Sequence, residues 1–161
     1  MRGDITARHH QALLRMNAAF VHWLSPLDEP SLIYILERAD YARQIEAGLG
    51  VLIGYPHNVD YPDHRNLVWL LAHLENFFYI DRVIIDEKAQ GRGLGQRLYA
   101  DVERHARANG YDWLACEVNT CPNNPASHAF HLREGFKSLG EQSFPARAKT
   151  VRYYAKALKP S

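Results

Sequence analysis

Val83 to Gly95 read VIIDEKAQGRGLG, where the apolar end of a strand gives way to polar residues and then to three glycines in five positions. The run Phe77 to Ile85 is aromatic and β-branched, and its length favours a buried strand over a helix. A helix is predicted after the glycines because apolar residues there recur four apart on one face: Leu94, Leu98, Val102 and Ala106. Asn109-Gly110 ends this helix.

A glycine-rich turn that opens a helix is suited to binding phosphate. Without Cβ atoms the main chain can approach a ligand closely, and the first N–H groups of the helix point outward and attract an anion. The alternative is a loop that only turns tightly into a helix. Dinucleotide-binding loops have G-x-G-x-x-G directly after the strand, whereas the glycines here are at 91, 93 and 95. A P-loop needs Lys and then Ser or Thr, but Gln96-Arg97 follows, which disfavours a nucleotide-dependent phosphotransferase.

The rest of the chain extends this strand-loop-helix unit in both directions. We predict these further elements: helices from Leu13 to Phe20 and Trp23 ending before Pro26, Leu32 to Ala39, around Leu67, Trp69 and Leu70, and Asn124 to Gly135; strands Tyr41 to Ala47, Val51 to Tyr55, Trp113 to Val118, Lys137 to Phe144 and Val151 to Leu158. Nothing divides residues 1–161, so we expect one domain of mixed α/β class. Its sheet should be parallel at the β-α-β crossover and covered by helices.

Composition narrows the class of function. The 161 residues carry 19 basic and 18 acidic side chains, so a net charge of +1 gives no general reason to bind nucleic acid or an anionic membrane. Cys116 and Cys121 are too few for a disulfide framework, and the histidines match no zinc pattern, so we expect reduced thiols and no metal. The first ten residues have no apolar stretch, which predicts no secretory signal and a cytoplasmic protein.

Two motifs resemble those of one known family. Gln90-Gly91-Arg92-Gly93-Leu94-Gly95 is similar to the Q/R-x-x-G-x-G/A signature of the GNAT superfamily of N-acetyltransferases. Asn124 to Phe136, NPASHAFHLREGF, resembles the family's second motif, a helix ending in Gly-Phe, at the expected distance. The resemblance covers about half of the chain, from Phe77 to Phe144. It implies a mostly antiparallel central sheet and acetyl-CoA as co-substrate.

The resemblance also implies which residues bind the co-substrate. Main-chain N–H groups of the signature residues Gln90, Gly91, Arg92, Gly93, Leu94 and Gly95, and of Gln96, would hold the pyrophosphate. The strand end Val83, Ile84 and Ile85 would pair with the pantetheine arm through its main chain. The other wall would be formed by Asn119, Asn124, Ser127 and Phe130. A V-shaped gap between the strands at Phe77 to Ile85 and Trp113 to Val118 would leave backbone groups free to pair with such an arm.

Acetyl transfer to an amine needs a base for the amine proton and a donor for the departing thiolate. The resemblance implies a donor four residues before the Gly of Gly-Phe, where many GNAT enzymes have a Tyr; in this chain the residue there is His131. An ordinary imidazole would be about a quarter charged at pH 7 and could protonate a thiolate; the alternative is a packing histidine. The predicted bases are Tyr79 and Asp81, which should share a strand face with Val83, and Glu117 on the neighbouring strand. A carboxylate would serve if apolar neighbours raised its pKa; the alternative for each candidate is an ordinary ion pair with Arg82 or another basic residue.

The acceptor is left open by these motifs. A small amine or amino-acid-like metabolite is predicted, because the charge balance gives no sign of a basic protein tail or RNA. Tyr55 to Trp69 is rich in aromatic and polar residues and would either cover the acceptor site or pack as a surface insertion. The competing class of function is a non-catalytic acyl-CoA sensor or assembly module. A homodimer is expected only from its general frequency among proteins.

Overall fold

The computed structural model describes residues 2–22 and 24–159, so predictions for Trp23 lie outside the described residues. The strands are β1 (Arg2–Asp4), β2 (Tyr41–Ile45), β3 (Gly50–Pro56), β4 (Phe77–Ile85), β5 (Trp113–Cys121), β6 (Lys137–Phe144) and β7 (Lys149–Ala157). The helices are α1 (His10–Ala19), α2 (Glu29–Arg38), α3 (Arg65–Leu71), α4 (Leu94–Ala108) and α5 (Pro125–Arg133). In the described ranges, no helix is both long and apolar enough to cross a membrane.

The predicted elements are all present, with different ends. α2 begins earlier than predicted because Asp28 caps it, accepting a hydrogen bond from the Ser31 N–H at 2.9 Å. β2 ends at Ile45, two residues early, because Glu46 and Ala47 have positive φ and already belong to the turn. β1 was not predicted, since its three residues, Arg2–Asp4, carry no apolar alternation.

One seven-stranded sheet has the order β1-β2-β3-β4-β5-β7-β6. All neighbours are antiparallel except β4 and β5, which are the strands on either side of the α4 crossover. This confirms the predicted mixed sheet. On one face the sheet packs against α4 and α5, and on the other against α1, α2 and α3. The apolar face predicted for α4 is buried throughout, each residue at most 2% exposed: Leu94, Leu98, Val102 and Ala106.

β4 and β5 pair over only three residues and then separate. The last pair is Tyr79 with Ala115, while β4 continues beside β3 as far as Ile85 and β5 continues beside β7 as far as Cys121. Beyond Tyr79, the β5-facing edge of β4 therefore has no strand partner within the described chain. This gap was predicted from the sequence, and seven of the predicted site residues line the cavity within it: Asp81, Val83, Glu117, Asn119, Asn124, Ser127 and His131.

A β-bulge in β4 corrects one prediction. Ile53 pairs with Arg82 and Gly54 pairs with Ile80, so Asp81 is an extra residue that reverses the side-chain alternation. Before the bulge, Tyr79 packs in the layer of α1 to α3; after it, Val83 packs against α4. The expectation that Tyr79 and Asp81 share a face with Val83 is therefore wrong.

Candidate active site

The glycine loop has the geometry of an open helix start. Gly91 and Gly93 have φ of +83° and +75°, and a Cβ atom at Gly91 would meet nothing within 4 Å. No side chain of the described residues caps the first turn of α4. The side chains of Gln90 and Arg92 instead donate backward, to the carbonyl oxygens of Ile85 and Lys88. The first N–H groups of α4 are thus left for an external acceptor.

The residues predicted for the co-substrate lie on the two sides of the gap. Ile84 and Leu94 are buried in opposite layers, so only their main chains are available. Asn124 accepts from the Ser127 N–H at 3.4 Å and so caps α5. Phe130 lies across from the glycine loop, its ring 3.8 Å from where a Cβ of Gly95 would be.

A cavity of about 140 Å³ fills the gap and reaches both faces of the sheet. Its α4–α5 side is formed by Val83, Tyr99, Cys116, Val118, Asn124, Ser127 and His131, together with Ile80. Its opposite side is formed by Leu24, Ser25, Asn66, Asp81, Arg82, Glu117 and Lys149, with Asn119 between. The cavity therefore connects the predicted co-substrate wall to the predicted bases.

Glu117 is the carboxylate in this cavity that is placed to act as a base. The Tyr79 hydroxyl donates to its two oxygens at 2.6 and 2.9 Å, and the Asn66 amide donates to Oε1 at 2.7 Å. Burial raises the pKa of Glu117 to about 7, and the hydrogen bond from Tyr79 opposes this only in part. Near neutral pH Glu117 can therefore both take up and release a proton.

Tyr79 does not have the lowered pKa that a tyrosinate base would need. It is fully buried, and its pKa is raised well above the usual value by burial and by the charge of Glu117. Its hydroxyl therefore stays protonated and serves to orient Glu117.

Asp81 has a partner on each carboxylate oxygen. His64 Nε2 lies 2.8 Å from Oδ1, and Arg82 Nε donates to Oδ2 at 3.2 Å. Because the bulge turns Asp81 and Arg82 to the same face, neighbours in sequence can pair. Burial acts to raise the pKa of Asp81, but the hydrogen bond from His64 and the charge of Arg82 hold it below its usual value. The raised pKa that a base would need is present at Glu117 and not at Asp81.

His131 does not have the charge expected for a proton donor. It is 3% exposed, and burial lowers its pKa to about 4, although its hydrogen bond to Ser127 opposes this. Nδ1 lies 2.7 Å from the carbonyl oxygen of Ser127, so it carries the ring proton, and Nε2 accepts from the Tyr99 hydroxyl at 2.7 Å. The expectation of a quarter-charged imidazole is wrong because the ring is desolvated and no acidic side chain of the described residues offsets this.

The His131 ring is therefore expected to titrate with a midpoint near pH 4. The measurement is a two-dimensional ¹H–¹⁵N NMR titration of the imidazole nitrogens, with His131→Asn used to assign the signal. Between pH 8 and 6 the ring should stay neutral, with its proton on Nδ1. A midpoint above pH 6 would restore His131 as an imidazolium donor.

Among the polar residues of the site that were not predicted as site residues are Asn66, Tyr99, Lys149 and His64, the hydrogen-bond partner of Asp81. Asn66 and His64 lie within Tyr55 to Trp69, whose polar and aromatic content did indicate a binding segment. That segment also packs, since Leu67 is buried and Trp69 stacks on Tyr153 with ring centroids 4.0 Å apart, and Leu70, just after the segment, is buried too. No signal in the sequence indicated Tyr99 or Lys149. In the described part of the chain, no three His, Cys, Asp or Glu side chains lie close enough to hold a metal.

Comparison with known proteins adds a family to this geometry. The profile of the Acetyltransferase (GNAT) family matches residues 16–136. No curated protein sequence matches the chain. Among solved structures, ribosomal-protein-alanine N-acetyltransferase from Brucella melitensis is 20% identical with a TM-score of 0.70, covering 98% of this chain and 99% of its own.

Two other solved structures share the fold at similar levels. An N-acetyltransferase from Staphylococcus aureus is 17% identical with a TM-score of 0.70, covering 99% of this chain and 98% of its own. IAA acetyltransferase from Bacillus cereus is 13% identical with a TM-score of 0.68, covering 98% of each chain. The family profile spans three quarters of the sequence, including both motifs and the gap between β4 and β5. The chain therefore belongs to the GNAT family of acetyltransferases.

Proposed function

We propose that this enzyme transfers the acetyl group of acetyl-CoA directly to the amine of a small molecule. The observation that carries the proposal is Glu117, a carboxylate with a pKa of about 7 in a cavity that joins the glycine-loop side of the gap to the opposite face of the sheet. A cytoplasmic location and a homodimer belong to the same proposal. The free thiols of Cys116 and Cys121 agree with that location.

The residues present fit the co-substrate. The open glycine loop and the uncapped start of α4 would receive a pyrophosphate, with N–H groups of Gly91 to Gly95 and Gln96 as donors. The edge of β4 that faces the gap offers the main chain of Val83 and Ile85 to an amide-bearing arm. When bound, acetyl-CoA supplies an activated thioester carbonyl.

In this proposal, Glu117 is the general base that accepts and later releases the proton of the amine. It accepts the amine proton as the nitrogen–carbon bond forms and the carbon–sulfur bond breaks, which leaves the electron pair on sulfur. Glu117 then releases that proton, and the departing CoA thiolate takes up a proton to become a thiol. Glu117 is thereby ionised again, as it was before the reaction. Tyr79 and Asn66 hold the carboxylate in one orientation during the transfer.

Gly93→Ala is expected to weaken acetyl-CoA binding by about tenfold or more, because a Cβ atom would stand in the path of the phosphates. In the free protein that Cβ would meet only the Gln96 side chain, at 3.8 Å, so the obstruction arises on binding. The measurement is a dissociation constant from calorimetry.

Gly110→Ala is the matched control for this experiment. Gly110 has a similar φ of +80°, also has nothing nearby that a Cβ would strike, and lies after α4 at its far end from the loop. Both variants carry the same backbone strain, so their loss of stability should be similar. Equal acetyl-CoA affinity in the two would contradict the assigned phosphate site.

The overall proposal is tested by incubating the protein with acetyl-CoA and a panel of amines while free CoA thiol is measured. Amine-dependent thiol release supports acetyl transfer. Tight acetyl-CoA binding without release for any amine would favour the sensor or assembly module. Competition by ATP for the same site would favour the phosphotransferase.

A further inference from the structure

Lys149 lines the side of the cavity that lies opposite α4 and α5, the side of Glu117, which we call the acceptor side. It is the first residue of β7, after a turn in which Ala148 has φ of +50°. Residues two apart on a strand face the same side, so Lys149 shares a face with Val151 and Tyr153. Tyr153 is the register partner of Glu117, and Lys149 and Glu117 both line the cavity.

Lys149 is a half-buried cation that has no contacting partner in the part of the chain that the structure describes. The other cation lining the cavity, Arg82, is already engaged: Nε donates to Asp81, and one terminal nitrogen donates to Asn17 at 2.6 Å and to the Ser25 carbonyl at 3.3 Å. By contrast, the Lys149 ammonium makes no hydrogen bond and no ion pair within 4 Å to any described residue. Glu117 acts on it electrostatically without contact.

Half-burying an ammonium without a partner carries a desolvation cost, and here burial lowers the pKa of Lys149. Arg82 and Arg147 add to the positive potential at this position, and the negative charge of Asp81 is already matched by Arg82 and His64. Glu117, the other carboxylate that lines this side, does not contact the Lys149 ammonium, so among the described residues Lys149 has no anion at contact distance. A ligand that brings an anion would supply one.

We propose that Lys149 binds a carboxylate of the acceptor, so that the substrate is an amine that also carries a carboxylate, as a free amino acid does. This rests on the proposed acetyl transfer. Glu117 receives the proton of the amine while Lys149 holds the carboxylate, which places the two charged ends of one small molecule in one cavity. A compact ammonium, as opposed to a guanidinium fork, is a point charge suited to a single anionic group.

Paired substrates test this inference: leucine against 3-methylbutylamine, phenylalanine against 2-phenylethylamine, and serine against both ethanolamine and phosphoethanolamine. Thiol release gives kcat/KM for each compound. The wild-type enzyme should prefer the carboxylated member of the reactive pair by about 10- to 100-fold, which is the range for a hydrogen bond to a charged group. Lys149→Met should bring the ratio close to one, mainly through KM, and Lys149→Arg should restore part of it.

Lys137→Met is the matched control, because Lys137 is exposed at the start of β6 and lines no part of the cavity. It should leave the ratio unchanged. Melting curves establish that the Lys149 variants are folded, and Lys149→Gln serves if Lys149→Met is not.

The possible outcomes distinguish a failure of the carboxylate role of Lys149 from a failure of the proposed acetyl transfer. If wild type uses the decarboxylated amines equally well, or if Lys149→Met keeps the preference, the carboxylate role of Lys149 is overturned and acetyl transfer stands. A preference for phosphoethanolamine over serine overturns the choice of carboxylate. If no amine is acetylated although acetyl-CoA binds, both the inference and the catalytic proposal fail.

Discussion

Replacing Glu117 with Gln is expected to lower kcat for acetyl transfer by roughly 10²- to 10⁴-fold, the usual contribution of a positioned general base. The geometry of the site should be kept. Glu117 Oε1 accepts hydrogen bonds from both the Tyr79 hydroxyl and the Asn66 amide, and a Gln side chain has an oxygen that can accept the same two bonds. Acetyl-CoA affinity should change by only a few fold. The measurements are steady-state thiol release and calorimetry.

The pH dependence of kcat/KM is an independent test of Glu117 as the base. With its pKa raised to about 7, Glu117 loses its base form as the pH falls, so wild-type kcat/KM should decline below about pH 7. Glu117→Gln should lack this acidic limb. The control is Glu141→Gln, which removes an exposed carboxylate paired with Arg152 on the edge strand and should leave rate and profile unchanged. A variant at Glu117 with wild-type kcat would remove it from the mechanism.

Asp81→Asn is expected to destabilise the fold by about 3 kcal/mol while leaving the acidic limb of the pH profile in place. The side chains of Asp81 and Arg82 are only 8% and 10% exposed. Replacing Asp81 with Asn therefore leaves the Arg82 guanidinium desolvated beside a neutral amide, which accounts for the loss of stability. The measurement is the free energy of unfolding in urea at pH 7, together with kcat/KM against pH. Loss of the acidic limb would instead identify Asp81 as the base.

The stability difference should itself depend on pH. Because the folded pKa of Asp81 lies below the unfolded value, its contribution is fully present above the unfolded pKa and is lost as the pH falls through the folded pKa. The wild-type advantage over Asp81→Asn should therefore shrink in acid. Glu46→Gln is the control, because its ion pair with Arg97 is half exposed and screened by solvent, so its loss should change the free energy of unfolding little.

Local pattern was sufficient to predict the strand at Phe77 to Ile85, the glycine turn and the buried face of α4, because each depends on residues close in sequence. The two motifs also indicated the family. Periodicity could not predict the bulge at Asp81, because an extra residue in β4 is defined only by its register with β3. That register decides that Asp81 pairs with Arg82 and that Val83 turns to the other face.

The properties of the charged groups depend on contacts between distant segments. Three carboxylate and imidazole candidates were predicted from the sequence, but burial and partners far along the chain give Glu117 a raised pKa and Asp81 and His131 lowered ones. The sequence alone thus determined the strand-loop-helix unit and the class of ligand it suits, since backbone geometry follows local residue type. Only the tertiary structure decided which side chain can take a proton, because desolvation and hydrogen bonding are set by packing across the gap between β4 and β5.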